Sequence, residues 1–106
     1  MNYKKFGNKV IVRIDSGEEI IKTLKQLCKI LNIKFGTITG IGATNKASIG
    51  LFDINLREYH SKELIGDHEI SPAYGNISAM EGKVYLHVHA NLRTAEPQCY
   101  EGHANS

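Results

Sequence analysis

Hydrophobic and polar residues alternate most regularly over residues 83–92. The apolar residues take every second position, as Val84, Leu86, Val88, Ala90 and Leu92, and the positions between them hold Tyr85, His87, His89 and Asn91. Successive side chains of a strand point to opposite faces. The pattern therefore predicts a strand with an apolar inner face and a polar outer face that carries two histidines.

A second pattern, nearer the N-terminus, has the period of a helix. Apolar residues recur three and four positions apart at Ile20, Ile21, Leu24, Leu27, Cys28 and Leu31. They predict an amphipathic helix over residues 17–31, with Ser16 as the N-cap and Glu19 completing a capping box. Lys22, Lys25 and Lys29 fall on its other face. A solvated face is the simpler interpretation of these lysines, and contact with nucleic acid is the alternative.

The rest of the chain has the composition of strands and turns. Strands are predicted over residues 10–14, 33–41, 47–54, 76–80 and 83–92, and a hairpin around His60 and Ser61 joins residues 56–60 to 62–70. Gly40 and Gly42 predict a tight turn between two strands, and residues 81–83 predict another. One helix and six or seven strands indicate an α+β fold with a mostly antiparallel sheet. At 106 residues and 11.8 kDa, residues 1–106 form a single domain.

Composition limits the partners and the compartment only loosely. A formal net charge of +2 neither requires nor excludes an anionic partner. Cys28 and Cys99 form no CxxC pair, which favours a reducing cytoplasm, and Cys28 lies on the apolar stripe of the helix as a small core residue. No segment approaches the roughly 20 consecutive apolar residues of a membrane span.

The two histidines of the strand are the clearest candidates for chemistry. His87 and His89 point the same way with Cα atoms roughly 6.5–7 Å apart, so they can ligate one metal ion. His103, beyond Pro97, is a candidate third ligand, and Gly102 before it allows a close backbone approach. Three histidines with an open position are typical of catalytic zinc. A merely polar strand face remains the alternative, with Cys99 as another possible ligand.

Three further polar residues are assigned more simply. Asn91 shares the face of the histidine pair, where it is a candidate for orienting a bound ligand. His60 and His68 are expected at the surface.

The order of several short motifs resembles that of the "plants and prokaryotes conserved" domain. The resemblance covers nearly the whole chain and runs through VRIDSGEEIIKTL at 12–24, ITGIGATNKASIGLFD at 38–53, GNIS at 75–78, LHVHANL at 86–92 and GH at 102–103. It implies a mostly antiparallel α+β fold, a homotrimer, and a metal, usually zinc, on three histidines. The matching positions are His87, His89 and His103.

The chain departs from the family in two respects. It has no AT-hook, the Arg-Gly-Arg-Pro-type element that binds DNA in plant members, since Arg13, Arg57 and Arg93 stand apart. Family domains also continue beyond the GH motif, so we expect a domain truncated at its C-terminus, an open sheet edge and a His103 in a loosely held tail.

Three functions follow as hypotheses from these patterns. The first is a trimeric metal-binding module that acts on a small molecule, with the reaction unassigned. The second is a DNA-binding or transcription-associated protein, for which the scattered cations predict weak binding or none. The third is a structural assembly module in which the metal only ties loops together.

Overall fold

The computed structural model describes residues 1–53, 57–94 and 99–105. It contains one helix, α1 (Ile20–Leu31), and six strands, β1 (Asn2–Phe6), β2 (Lys9–Arg13), β3 (Gly36–Asp53), β4 (Glu58–Met80), β5 (Lys83–Arg93) and β6 (Cys99–Ala104). All strand pairs are antiparallel. The predicted α+β fold is confirmed. No helix in the described part of the chain is long and apolar enough to cross a membrane.

The helix begins three residues later than the pattern predicts. Gly17 has a φ of +93°, and the N–H of Glu18 donates to the carbonyl of Asp15 at 3.1 Å, so residues 15–18 form a turn. Glu19, rather than Ser16, is the N-cap, and its carboxylate accepts hydrogen bonds from the N–H groups of Ile21 and Lys22. The predicted start at residue 17 is therefore wrong, because the glycine favours a turn where helix was expected.

Two very long strands replace several of the predicted short ones. β3 runs through Gly40 and Gly42 without turning, and its pairing with β4 shifts register there and again between Thr44 and Lys46. Glycine in a strand commonly marks such a bulge. His60 and Ser61 lie inside β4 and pair with residues 51 and 50 of β3, so the predicted hairpin around them is wrong. Its first residue, 56, lies outside the described residues. The predicted turn at residues 81–83 is confirmed, with positive φ at Glu81 and Gly82.

The C-terminal segment forms a strand that closes the sheet, where an open edge was expected. β6 pairs with residues 89–93 of β5 and, through His103 and Ala104, with Gly50 and Ile49 of β3. The order β3–β4–β5–β6 is a closed barrel. The expectation that the whole edge of β5 stays open is therefore wrong. Within β5, residues 83–88 pair with β4 on one side and have no strand partner on the other side among the described residues.

The apolar face of β5 forms the centre of the core, as its alternation predicts. Leu86, Val88, Ala90 and Leu92 are buried, and Leu92 is only 1% exposed. The first two pack with Ile21 and Cys28 of α1, while Ala90 and Leu92 pack with residues of β3 and β4. Burying each large aliphatic side chain contributes roughly 1.5–3 kcal/mol. This packing fixes the orientation of β5, so its other face is turned outward in a defined register.

Candidate metal centre

Two adjacent strands bring the three predicted histidines together. His87 and His89 project from the outward face of β5, and His103 projects from β6 directly opposite His89 in the β5–β6 pairing. His103 thus lies in a strand that pairs on both sides, rather than in the loosely held tail expected from the sequence. The sequence pattern did not predict this strand, because β6 is mostly polar.

The three imidazoles converge closely enough for one metal ion. One ring nitrogen from each histidine lies within 4.8 Å of the others. The Nε2 atoms of His87 and His89 are 3.1 Å apart. In a tetrahedral zinc site with Zn–N bonds of 2.0–2.1 Å, two nitrogens are about 3.4 Å apart. The donor set therefore fits a divalent transition metal with modest rearrangement of the rings.

Electrostatics at the cluster favour neutral imidazole. Burial lowers the pKa of His103, and the neighbouring His87 and His89 lower it further, because a second and third positive charge at this distance would repel the first. Only the neutral imidazole has a lone pair for a metal. The arrangement thus keeps His103 in the ligating form at pH values where an ordinary histidine is partly protonated.

A tyrosine and a carboxylate border the cluster. Tyr74 of β4 is the register partner of His89, and their rings stack with centroids 6.0 Å apart and planes at 24°. The hydroxyl of Tyr74 donates to Oε1 of Glu101 at 3.2 Å, which raises the pKa of the tyrosine. Glu101 lies two residues before His103 on β6, so this bond links β4 to β6 across the histidines. The sequence did not reveal this link, because it depends on the register of three strands.

Two glycines allow the backbones at the site to approach. A Cβ on Gly102 would lie 3.1 Å from the carbonyl oxygen of Gly50 and 3.2 Å from Cβ of Ile49. The prediction that Gly102 permits a close approach is confirmed. A Cβ on Gly75 would collide with the backbone carbonyl of His87. Both strands that carry histidines are thus held against neighbours that leave no space for a side chain.

The other candidate ligands lie outside the cluster. Cys99 is exposed at the start of β6, opposite Arg93, and it is absent from the histidine group. Asn91 lies two residues beyond His89 on β5, opposite Glu101, at intermediate burial. Its role in orienting a ligand remains a prediction.

The two remaining histidines differ from each other. His60 is exposed and lies 3.9 Å from a carboxylate oxygen of Glu58. His68, expected at the surface, is buried instead, with its Nδ1 2.9 Å from the carbonyl oxygen of Gly66 and its ring edge-on to Tyr100. It packs inside the barrel because its position in β4 has the same parity as Leu64 and Ile70.

A shallow cavity of about 300 Å³ adjoins the cluster. His87 and His89 form one side of it, and β3 and β4 contribute Thr37, Thr39 and Asn76. Hydroxyl and amide groups beside two imidazoles suit a small polar molecule.

Solved structures similar to this one include proteins from bacteria and archaea. A candidate DNA-binding protein from Bacteroides thetaiotaomicron is 39% identical, with a TM-score of 0.93, over 97% of this chain and 72% of its own. A plant- and prokaryote-conserved protein from Pyrococcus horikoshii is 32% identical, with a TM-score of 0.83, over 87% of this chain and 64% of its own. A metal-containing protein from Archaeoglobus fulgidus is 28% identical, with a TM-score of 0.86, over 98% and 74%.

The comparison with curated proteins found no match. The model of the Plants and Prokaryotes Conserved domain, by contrast, matches residues 1–106. The fold, the motifs and the histidine cluster agree with this match, and the chain belongs to the Plants and Prokaryotes Conserved (PCC) domain family.

Proposed function

We propose that this protein is a homotrimeric metal-binding domain in which His87, His89 and His103 of each chain hold one divalent transition metal, with zinc as the first candidate. The observation that carries the proposal is the convergence of three ring nitrogens within 4.8 Å. A related structure is that of a metal-containing protein, which supports the same assignment.

The residues around the histidines suit a site that handles a small molecule. When bound, a metal on three histidines polarises a carbonyl or phosphoryl oxygen or lowers the pKa of a bound water. We assign to Asn91, on the same strand face, the role of orienting such a ligand. Thr37, Thr39 and Asn76 line the adjoining cavity. Tyr74 and Glu101 hold the ring of His89 and the strand of His103 in register. The proposal includes no specific reaction.

Assembly into a trimer is supported by the family and by apolar residues that face solvent. Ile41 of β3 and Ile65 of β4 are 86% and 78% exposed, and residues 83–88 of β5 lack a second strand partner in the described chain. Apolar side chains and unpaired strand edges are commonly covered by another subunit. Light scattering coupled to size exclusion should give about three times 11.8 kDa. A clean monomer at micromolar concentration would exclude the trimer.

We propose a reducing cytoplasm as the compartment, on the basis of the two cysteines. Cys28 and Cys99 are both free, and Cys28 is buried in the core, where burial raises the pKa of its thiol. Such unpaired thiols suit a reducing cytoplasm.

One comparison separates a purely structural role of the metal from a role in binding a small ligand. If the ion merely ties β5 to β6, removing it lowers the midpoint of thermal unfolding but leaves the binding of small ligands unchanged. If the centre handles a ligand, anions that coordinate zinc should bind only to the metal-loaded protein. Isothermal titration with such an anion, on loaded and metal-free protein at a temperature where both are folded, separates these two functions.

DNA binding is the second candidate function, favoured by the 39%-identical structure of a candidate DNA-binding protein. The small net charge of +2 predicts weak binding that fades as salt rises. Nanomolar, sequence-selective binding at about 150 mM salt would favour this function over the metal-centred one.

A further inference from the structure

A basic groove of about 670 Å³ lies at the C-terminal end of α1. Four lysines line it: Lys25 and Lys29 from α1, Lys34 from the segment before β3, and Lys83 from the start of β5. All four are exposed, and no carboxylate is among the residues that line the groove. Lys22 shares this face of the helix but lies about two turns before Lys29 and does not line the groove, whereas the fold adds Lys34 and Lys83.

These lysines are not engaged elsewhere in the described part of the chain. None of them forms an ion pair there, whereas Lys46 pairs with Glu63 at 3.1 Å. Two of the carbonyls in the last turn of α1 do not need them either. The N–H groups of Asn32 and Ile33 already bond back to the carbonyls of Lys29 and Cys28. The four ammonium groups are therefore available to an external anion.

The charge around the groove is one-sided. The acidic residues of the helix region, Glu18 and Glu19, lie at the opposite end of α1. Glu81, in the turn before β5, is the nearest carboxylate in the sequence, and it does not line the groove. Positive groups on three different elements thus surround one concavity, which is the arrangement that contacts successive phosphates of a polyanion.

An exposed aromatic ring directly follows one of these lysines in the sequence, although it is not among the residues that line the groove. Phe35 directly follows Lys34 and is 75% exposed, although a side chain of this size is usually buried. Single-stranded nucleic acids bind through a positive groove that follows the backbone together with aromatic rings on which bases stack. The base pairs of a duplex are already stacked on each other, so a duplex cannot use Phe35 in this way.

We infer that the groove formed by Lys25, Lys29, Lys34 and Lys83 binds the backbone of single-stranded nucleic acid, with Phe35 stacking on an unpaired base. This site contains none of the three histidines, so it does not depend on the metal centre. It provides contacts on the domain itself, without an AT-hook.

Fluorescence anisotropy with a labelled oligothymidine tests the inference. If each lysine contacts one phosphate, the logarithm of the binding constant should fall against the logarithm of salt concentration with a slope of about −2.8, roughly a 50-fold loss between 50 and 200 mM. The double variant Lys29→Gln/Lys34→Gln should halve the slope, to roughly a 7-fold loss over the same range. Phe35→Ala should weaken binding at one salt concentration by about tenfold.

The matched control is Lys5→Gln/Lys9→Gln, which removes the same charge from exposed positions of β1 and β2. It should leave the slope unchanged. The inference is overturned if the wild type does not bind, if both double variants lose the same affinity, or if a duplex or inorganic polyphosphate binds as tightly as the single strand. It is also overturned if Phe35→Ala changes the oligomeric state and leaves oligothymidine binding intact, because Phe35 would then serve a subunit contact.

Discussion

Replacing Gly102 with alanine should damage the histidine cluster without touching a histidine. The new Cβ would stand 3.1 Å from the carbonyl oxygen of Gly50 and 3.2 Å from Cβ of Ile49. Ordinary contacts are about 3.5–4.0 Å, so β6 must move away from β3 by roughly 0.4–0.5 Å. His103 is the next residue, and metal ligands tolerate only about 0.2 Å of displacement. We expect about a 10- to 100-fold loss of zinc affinity and a stability loss of about 1–3 kcal/mol.

The assay is competition for zinc with a chelator of known affinity, at a temperature where the variant is fully folded by circular dichroism. Gly42→Ala is the matched control, since no atom lies within 4 Å of its new Cβ and its φ is not in the left-handed region. That control should keep wild-type affinity and change stability by less than about 0.5 kcal/mol. Equal affinity in Gly102→Ala and the wild type would refute the claim that close packing of β6 positions His103.

Two further predictions concern protonation and the core. Zinc affinity should fall as pH drops through about 6.5, the ordinary pKa of histidine, because protons compete with the metal for the imidazole lone pairs. The lowered pKa of His103 keeps this ligand neutral to a lower pH than an ordinary histidine. Tighter binding at pH 5.5 than at pH 7.5 would contradict this scheme. Leu92→Ala should lower the free energy of unfolding by about 2–5 kcal/mol, because this side chain is almost fully buried. Ile11→Ala, at a 67% exposed position, should change it by less than about 0.5 kcal/mol, and chemical denaturation of both variants as assembled protein measures the difference.

The sequence predicted the features that depend on local periodicity. The alternation over residues 83–92 gave the correct strand, the correct inner face and the shared orientation of His87 and His89. The helical spacing from Ile20 to Leu31 gave α1, although Gly17 moved its start. These patterns suffice because a buried face imposes its period on the sequence directly.

The features it missed depend on partners distant in the sequence. Bulges carry β3 through two glycines that resemble a turn, and nothing in the local sequence separates the two cases. β6 lacks a strong apolar pattern, because only Tyr100 and Ala104 pack inward, so neither the closed barrel nor the firm placement of His103 was foreseen. His68 was expected at the surface because it falls in the predicted hairpin region, although its parity in β4 buries it.

Metal content per chain is the most direct test of the central claim. Elemental analysis of purified protein, after dialysis free of loosely held metal, should give about one divalent ion per chain. His87→Ala, His89→Ala and His103→Ala should each lose it, because all three rings are held by paired strands. His60→Ala should keep it, because that exposed ring lies outside the cluster. A wild type without metal, or a His60→Ala variant that loses metal while His87→Ala retains it, would contradict the three-histidine centre.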